Sequence, residues 1–279
     1  MAAKNADELT SVWDPADPET AADYPTAHER VRATDPVAWS SNWGGFFTLM
    51  RYADVSAASR DPATFTATKM TVIPTSPRKG LPRLPLQKDP PESDRYRKAL
   101  NPFFKENRIR AFEPALRRLS DELFAGLMKT PEAADYALGY AEPFTQGALG
   151  LLLGLDRDEA LEVGRLSHDY VTAVQGQDLS TAGDLSRQVD GFAERLVADR
   201  RRAPRDPATD IVTGLIDAPP KDAPFDDVEL AGMVRLMLIG GHVVPRNFLC
   251  STAWHLATHP DHVRLLQDDP AAFRPLPAV

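Results

Sequence analysis

Residues 227–258, DVELAGMVRLMLIGGHVVPRNFLCSTAWHLAT, form the longest apolar stretch of the chain, and their reading decides the fold. The stretch predicts a single helix. Asp226 or Asp227 can cap its start, and Glu229 stands at capping-box distance and near the positive end of the helix dipole. At about 1.5 Å per residue the helix would run on the order of 45 Å, enough to cross a domain. From Leu230 to Val244 apolar residues occupy every side, the pattern of a helix enclosed by other elements. Only Arg235 and His242 interrupt them, and with Arg246 they fall in one narrow sector, which makes a polar seam. Pro245 has no N–H for the carbonyl of Gly241, so a kink or bulge is expected at Gly240-Gly241. The glycines can serve close packing of a neighbouring helix, or they can open room for a flat ligand against the helix face.

Working outward, the chain has 279 residues, 43% hydrophobic and 26% charged, which suits one large soluble domain. A net charge of −8 and the lack of a basic stripe with interleaved aromatics argue against nucleic-acid binding. Arg200-Arg201-Arg202 reads as the cationic end of a helix. One cysteine, Cys250, excludes an internal disulfide and fits a reducing cytosol, and no run of 18 uncharged apolar residues suggests a membrane span. A cytoplasmic protein without a membrane partner is expected.

Residues 1–20 are polar and read as a flexible segment, with one domain over 21–279. Val37–Trp39 and Phe46–Leu49 predict two strands joined through Gly44-Gly45. Short helices are predicted at 24–33 and 52–59, a proline-rich loop at 70–87, and helices at 109–128, 142–155, 157–172, 179–202, 210–216 and 260–266. Arg95, Arg97, Lys98 and Lys105 make one segment basic, either a solvated helix face or the neighbour of an anion. His255, His259 and His262 lack an acid partner on their helix face and are separated by Pro260, so they are read as helix-end residues and no metal site is expected. No nucleophile elbow, Walker loop or dinucleotide fingerprint occurs, and Cys250 in an apolar helix reads as a small hydrophobe, so no catalytic residue is assigned.

Five segments in order, YPTAHERVRATDPVAW (24–39), GGFFTLMRYADVSAASRDPATF (44–65), DPPESDRYRKALNPFF (89–104), LMLIGGHVVP (236–245) and WHLATHPDHVRLL (254–266), resemble the bacterial cytochrome P450 family. The resemblance covers nearly the whole chain. It implies a mainly α fold with a small β-sheet around a haem held by a cysteine thiolate, acting as an oxygen-dependent monooxygenase on a small hydrophobic organic substrate. A ferredoxin-type or reductase electron donor is implied with it. Ser93 and Arg97 match the family's His-x-x-x-Arg for the haem propionates, with Ser93 in place of the histidine; Phe104 matches an apolar position near the haem. Gly240, Gly241 and Val244 fall over the haem, and Val243 and Val244 replace the usual acid and alcohol of proton delivery. The resemblance further implies that the family's Glu-x-x-Arg helix and cysteine loop lie beyond position 279, so the chain reads as a C-terminally truncated P450-like domain without its thiolate. Two readings remain open at this point: part of a monooxygenase, or a haem-free helper protein. In either, one side of the long helix is expected to lie uncovered.

Overall fold

The computed structural model describes residues 11–15, 17–69, 80–219 and 223–269. It divides into two compact units, Met1–Pro77 with Pro85–Asp94, and Arg78–Leu84 with Arg95–Val279.

In the first unit, α1 (Pro18–Ala22) starts at a proline directly after its cap and α2 (Tyr24–Thr34) carries Pro25 as its second residue, positions where the missing N–H is not needed. Asp17 and Asp23 cap them by accepting from the N–H groups of Thr20 and Thr26. The strands β1 (Val37–Ser40) and β2 (Phe46–Leu49) pair antiparallel in the register Val37↔Leu49 and Trp39↔Phe47. Their connection needs left-handed backbone, supplied by Gly44 at φ 89° and Gly45 at φ 86°. A Cβ on Gly45 would also strike the Trp39 ring, so glycine is required there twice over. The helix α3 (Tyr52–Ser59) follows. Trp13, Val31, Ala38 and Met50 form this unit's core. Packed chain therefore begins before residue 21: Val12 N–H donates to the Trp39 carbonyl at 3.0 Å, and Trp13 is buried. Residues 1–10 of the polar segment, and 70–79 of the proline-rich loop, lie outside the described residues.

The helix α4 (Glu92–Leu100) leads into α5 (Glu106–Leu127), α6 (Glu142–Leu153), α7 (Arg157–Gln175), α8 (Leu179–Arg202), α9 (Ile211–Asp217), α10 (Asp227–Thr258) and α11 (Pro260–Asp268). In the second unit α10 packs against α6, α7, α8 and α9. Leu149, Leu153, Val163, Val189, Leu196, Leu230, Met233 and Leu238 share one apolar core. The small-residue run on α6 serves two ends. Gly147 and Gly150 bring Leu119 of α5 and Ala160 of α7 close, while Gly154, at φ 62°, closes the helix in the left-handed conformation.

Asp226 caps α10 with the reciprocal pair of a capping box, Glu229 N–H to Asp226 Oδ1 at 2.7 Å and Asp226 N–H to Glu229 Oε2 at 2.9 Å. Glu229 Oε1 also accepts from Arg95 at 2.8 Å and from the Tyr96 hydroxyl at 2.7 Å, fixing the start of the helix to α4. By length and hydropathy α10 could cross a membrane. Instead its first half is a core helix: every residue from Leu230 to Arg235 is buried. The helix remains α-helical through Gly240, Gly241 and Pro245, so the expected bulge does not form. The freed carbonyl of Gly241 is accommodated without a change of helix type.

Candidate functional site

The two sides of α10 diverge after Leu238. The polar seam faces inward. Arg235 is buried and pairs with Asp190, with a second bond to Ser186 at 3.0 Å; Asp190 Oδ2 also accepts from Leu81 N–H at 3.3 Å. His242 is fully buried and its Nδ1 lies 3.1 Å from Thr145 Oγ1. Arg246 Nε lies 3.3 Å from Glu142 Oε2. Burial first, and then the charges of Arg246 and His168, hold His242 at a pKa of about 4, well below its ordinary 6.5. It is therefore a neutral imidazole at physiological pH.

The opposite side is uncovered. Gly240 is exposed, and a Cβ built on it meets nothing within 4 Å. Val244 is 68% exposed, Phe248 62% and Trp254 73%, with Asn247 and Ser251 exposed between them. At 100° per residue these positions share one face roughly opposite the seam. The two readings of the glycine pair are divided between its members. Gly241 serves packing, since a Cβ there would come within 2.9 Å of Leu149 Cδ1, while Gly240 borders open space.

The other expected site residues are placed as follows. Arg97 is exposed on α4 and has no ion pair among the described residues, and Phe104 is 47% exposed just beyond that helix. Ser93, one turn before Arg97, is buried. Arg95, read from the sequence only as part of a basic patch, is instead taken up by Glu229, by the carbonyls of Ala223 and Pro224, and by the Phe225 ring 4.4 Å away. Cys250 is half-buried and turned about 100° round α10 from the uncovered face. His259 stacks on both His255 and His262, whose own rings are tilted to each other, with ring centroids 4.1–5.4 Å apart. Among the described residues no group of three or more His, Cys, Asp or Glu is arranged to hold a metal. Arg200, read as a helix-end cation, is fully buried, and donates to Asp210 at 2.8 Å and to the Gly154 carbonyl at 2.9 Å.

No family model matches the chain. Individual relatives do. It is 29% identical over 251 residues to a vitamin D(3) 25-hydroxylase of Pseudonocardia autotrophica, covering 88% of this chain and 60% of the relative. It is 27% identical over 272 residues to cytochrome P450-SU2 of Streptomyces griseolus, covering 90% and 61%. Among solved structures, the LnmA cytochrome P450 hydroxylase of Streptomyces atroolivaceus superposes with a TM-score of 0.72 at 27% identity, over 95% of this chain and 64% of that one. A Mycobacterium marinum cytochrome P450 in complex with pseudoionone superposes at 0.79 with 19% identity, which speaks for the fold alone. The chain thus spans less than two thirds of the length of these relatives. Over about 90% of its length, in both sequence and fold, the chain is similar to bacterial cytochrome P450s.

Proposed function

We propose that this chain supplies the haem-facing part of a cytochrome P450-type monooxygenase, which oxidises a small hydrophobic organic molecule with molecular oxygen. The observation that carries the reading is the uncovered face of α10, where Gly240 leaves room for a flat group and Val244 and Phe248 extend an apolar bed. A contiguous apolar face of this kind on a soluble protein marks a binding surface.

The residues fit a haem in two respects. Gly240 and Val244 would lie against the porphyrin plane, with Gly241 packed on Leu149 beside them, and the guanidinium of Arg97, without an ion pair among the described residues, suits a propionate carboxylate, with Phe104 nearby in sequence as an apolar contact. In a third respect they do not fit: Cys250 is off the face, so no thiolate comes from the described residues. Bound haem would supply the redox centre for oxygen activation. Ser93, buried one turn before Arg97, is a poorer propionate partner than Arg97 because it carries no charge.

Val243 and Val244 follow Gly241, and neither can hold or pass a proton. His242 cannot replace them, because it points into the core on the side of α10 away from Val244. Two valines at these positions support proton delivery through water or through the substrate itself. The substrate class and a ferredoxin-type or reductase electron donor follow from the family, as does a cytoplasmic setting.

Titration of the purified chain with haemin, followed by reduction under carbon monoxide, tests the reading. Saturable one-to-one binding is expected, without the red-shifted band of a thiolate-ligated haem. Non-saturating association would remove the haem assignment.

A further inference from the structure

Three buried side-chain polar atoms lack a hydrogen-bond partner among the described residues: Glu142 Oε2, His242 Nε2 and Arg246 Nε. All three belong to one cluster. Glu142 and Thr145 lie one turn apart on α6, His242 and Arg246 one turn apart on α10, and the turns face each other through Thr145–His242 at 3.1 Å and Glu142–Arg246 at 3.3 Å. Arg246 Nε and Glu142 Oε2 are within ion-pair distance but off the direction a hydrogen bond needs.

Proton counting fixes the character of each atom. Thr145 Oγ1 has a single proton and gives it to the Glu142 carbonyl at 3.0 Å. It can only accept from His242, so Nδ1 of His242 carries the proton and Nε2 is a bare lone pair in the interior. The cluster thus offers two acceptors, His242 Nε2 and Glu142 Oε2, and one donor, the Arg246 Nε–H. Glu142 Oε1 is occupied separately by Gln146 at 3.4 Å, and His168 stands 4.0 Å from Glu142 Oε2.

We infer that these three atoms bind one water molecule, which donates to His242 Nε2 and Glu142 Oε2 and accepts from Arg246 Nε–H. The charges exclude other small ligands. An anion would meet the Glu142 carboxylate and could not serve two acceptors; a cation would meet Arg246 and could not accept its proton. An alcohol has one hydroxyl proton for two acceptors. Three partners is the number a buried water typically makes, and leaving three polar groups unmet would cost on the order of 1–3 kcal/mol each. The water ties α6 to α10 behind the glycine pair, and the site does not depend on haem binding.

Nitrogen-15 spectra of histidine-labelled full-length chain at neutral pH read this directly. The expected result is the Nδ1–H tautomer of His242, with Nε2 shifted upfield as a hydrogen-bond acceptor and a cross-peak from a long-lived water to the ring. An Nε2–H tautomer, or an Nε2 resonance typical of an unbonded lone pair without that cross-peak, would overturn it. A crystal structure provides the second measurement. A water within about 2.6–3.2 Å of all three atoms is expected, and direct bonding of Arg246 or another side chain to His242 Nε2 would contradict the site.

Discussion

Gly241 and Leu149 meet so closely that a Cβ on Gly241 would come within 2.9 Å of Leu149 Cδ1, while the adjacent Gly240 has nothing within 4 Å of the same point. Two neighbouring glycines in one helix therefore answer differently to the same substitution. Gly240→Ala gains helix propensity at no steric cost and should raise stability by about 0.5–1 kcal/mol. Gly241→Ala gains the same propensity but must displace a buried leucine, so its gain should be smaller or reversed. Urea unfolding of the two variants checks the order.

Arg200 is the most committed charge in the second unit. Its Nε bonds Asp210 at 2.8 Å, and Asp210 in turn caps α9 by accepting from Thr213 N–H at 2.7 Å. Arg200→Met should destabilise by about 3–5 kcal/mol, because it leaves the buried Asp210 carboxylate without its cationic partner, while the Gly154 carbonyl keeps a donor in Arg205. A loss below about 1 kcal/mol in equilibrium unfolding would show that the pair is replaceable.

His242 makes stability depend on pH. Its folded pKa, about 4, lies below its ordinary 6.5, because burial disfavours the cation and Arg246 on α10 and His168 on α7 add like charge; Glu142 on α6 is the acid that opposes them. Between those values the unfolded chain holds a proton that the folded chain does not. Stability from this group is therefore full above pH 6.5 and falls as pH drops toward 4, by at most about 3 kcal/mol. His242→Gln should flatten that part of the curve. An unchanged slope in urea midpoints between pH 7.5 and 5 would contradict the assignment.

Arg97 is exposed and has no ion pair among the described residues, so Arg97→Gln should leave stability within about 0.5 kcal/mol of the parent. Haemin affinity should nevertheless fall, by roughly tenfold if one charge-assisted hydrogen bond is lost. Lys98→Gln, also exposed and on the next position of α4, provides the control.

Local signals were legible in the sequence and partners were not. The capping box at Asp226 and Glu229, the strand pair around Gly44-Gly45 and the helix bounds at Arg202 and Thr258 all depend on residues a few positions apart. The seam on α10 was visible as a sector, but Asp190, Thr145 and Glu142, which meet it, come from helices about 45–105 residues away in the chain. Arg200 looked like a helix-end cation because nothing local announces that Asp210 and Gly154 enclose it. Trp13 was hidden within a polar, Asp-Pro-rich segment, although it is a core residue of the first unit. Pro245 signalled a bulge that does not form, since a helix held by packing along its first half can keep its helix type past one lost hydrogen bond. That the glycine pair can border open space was one of two readings of the sequence, and only the fold assigns it to Gly240 rather than Gly241.

The most direct measurement is a haemin titration of the parent chain beside Val244→Glu and Val228→Glu, followed by quenching of Trp254 fluorescence. Both valines are exposed on α10, at 68% and 55%, but Val228 lies in the first turn, away from the uncovered face. Loss of binding with Val244→Glu alone is the predicted result, since a carboxylate there would be buried against the porphyrin. Equal binding by all three chains would contradict a haem bed on this face of α10.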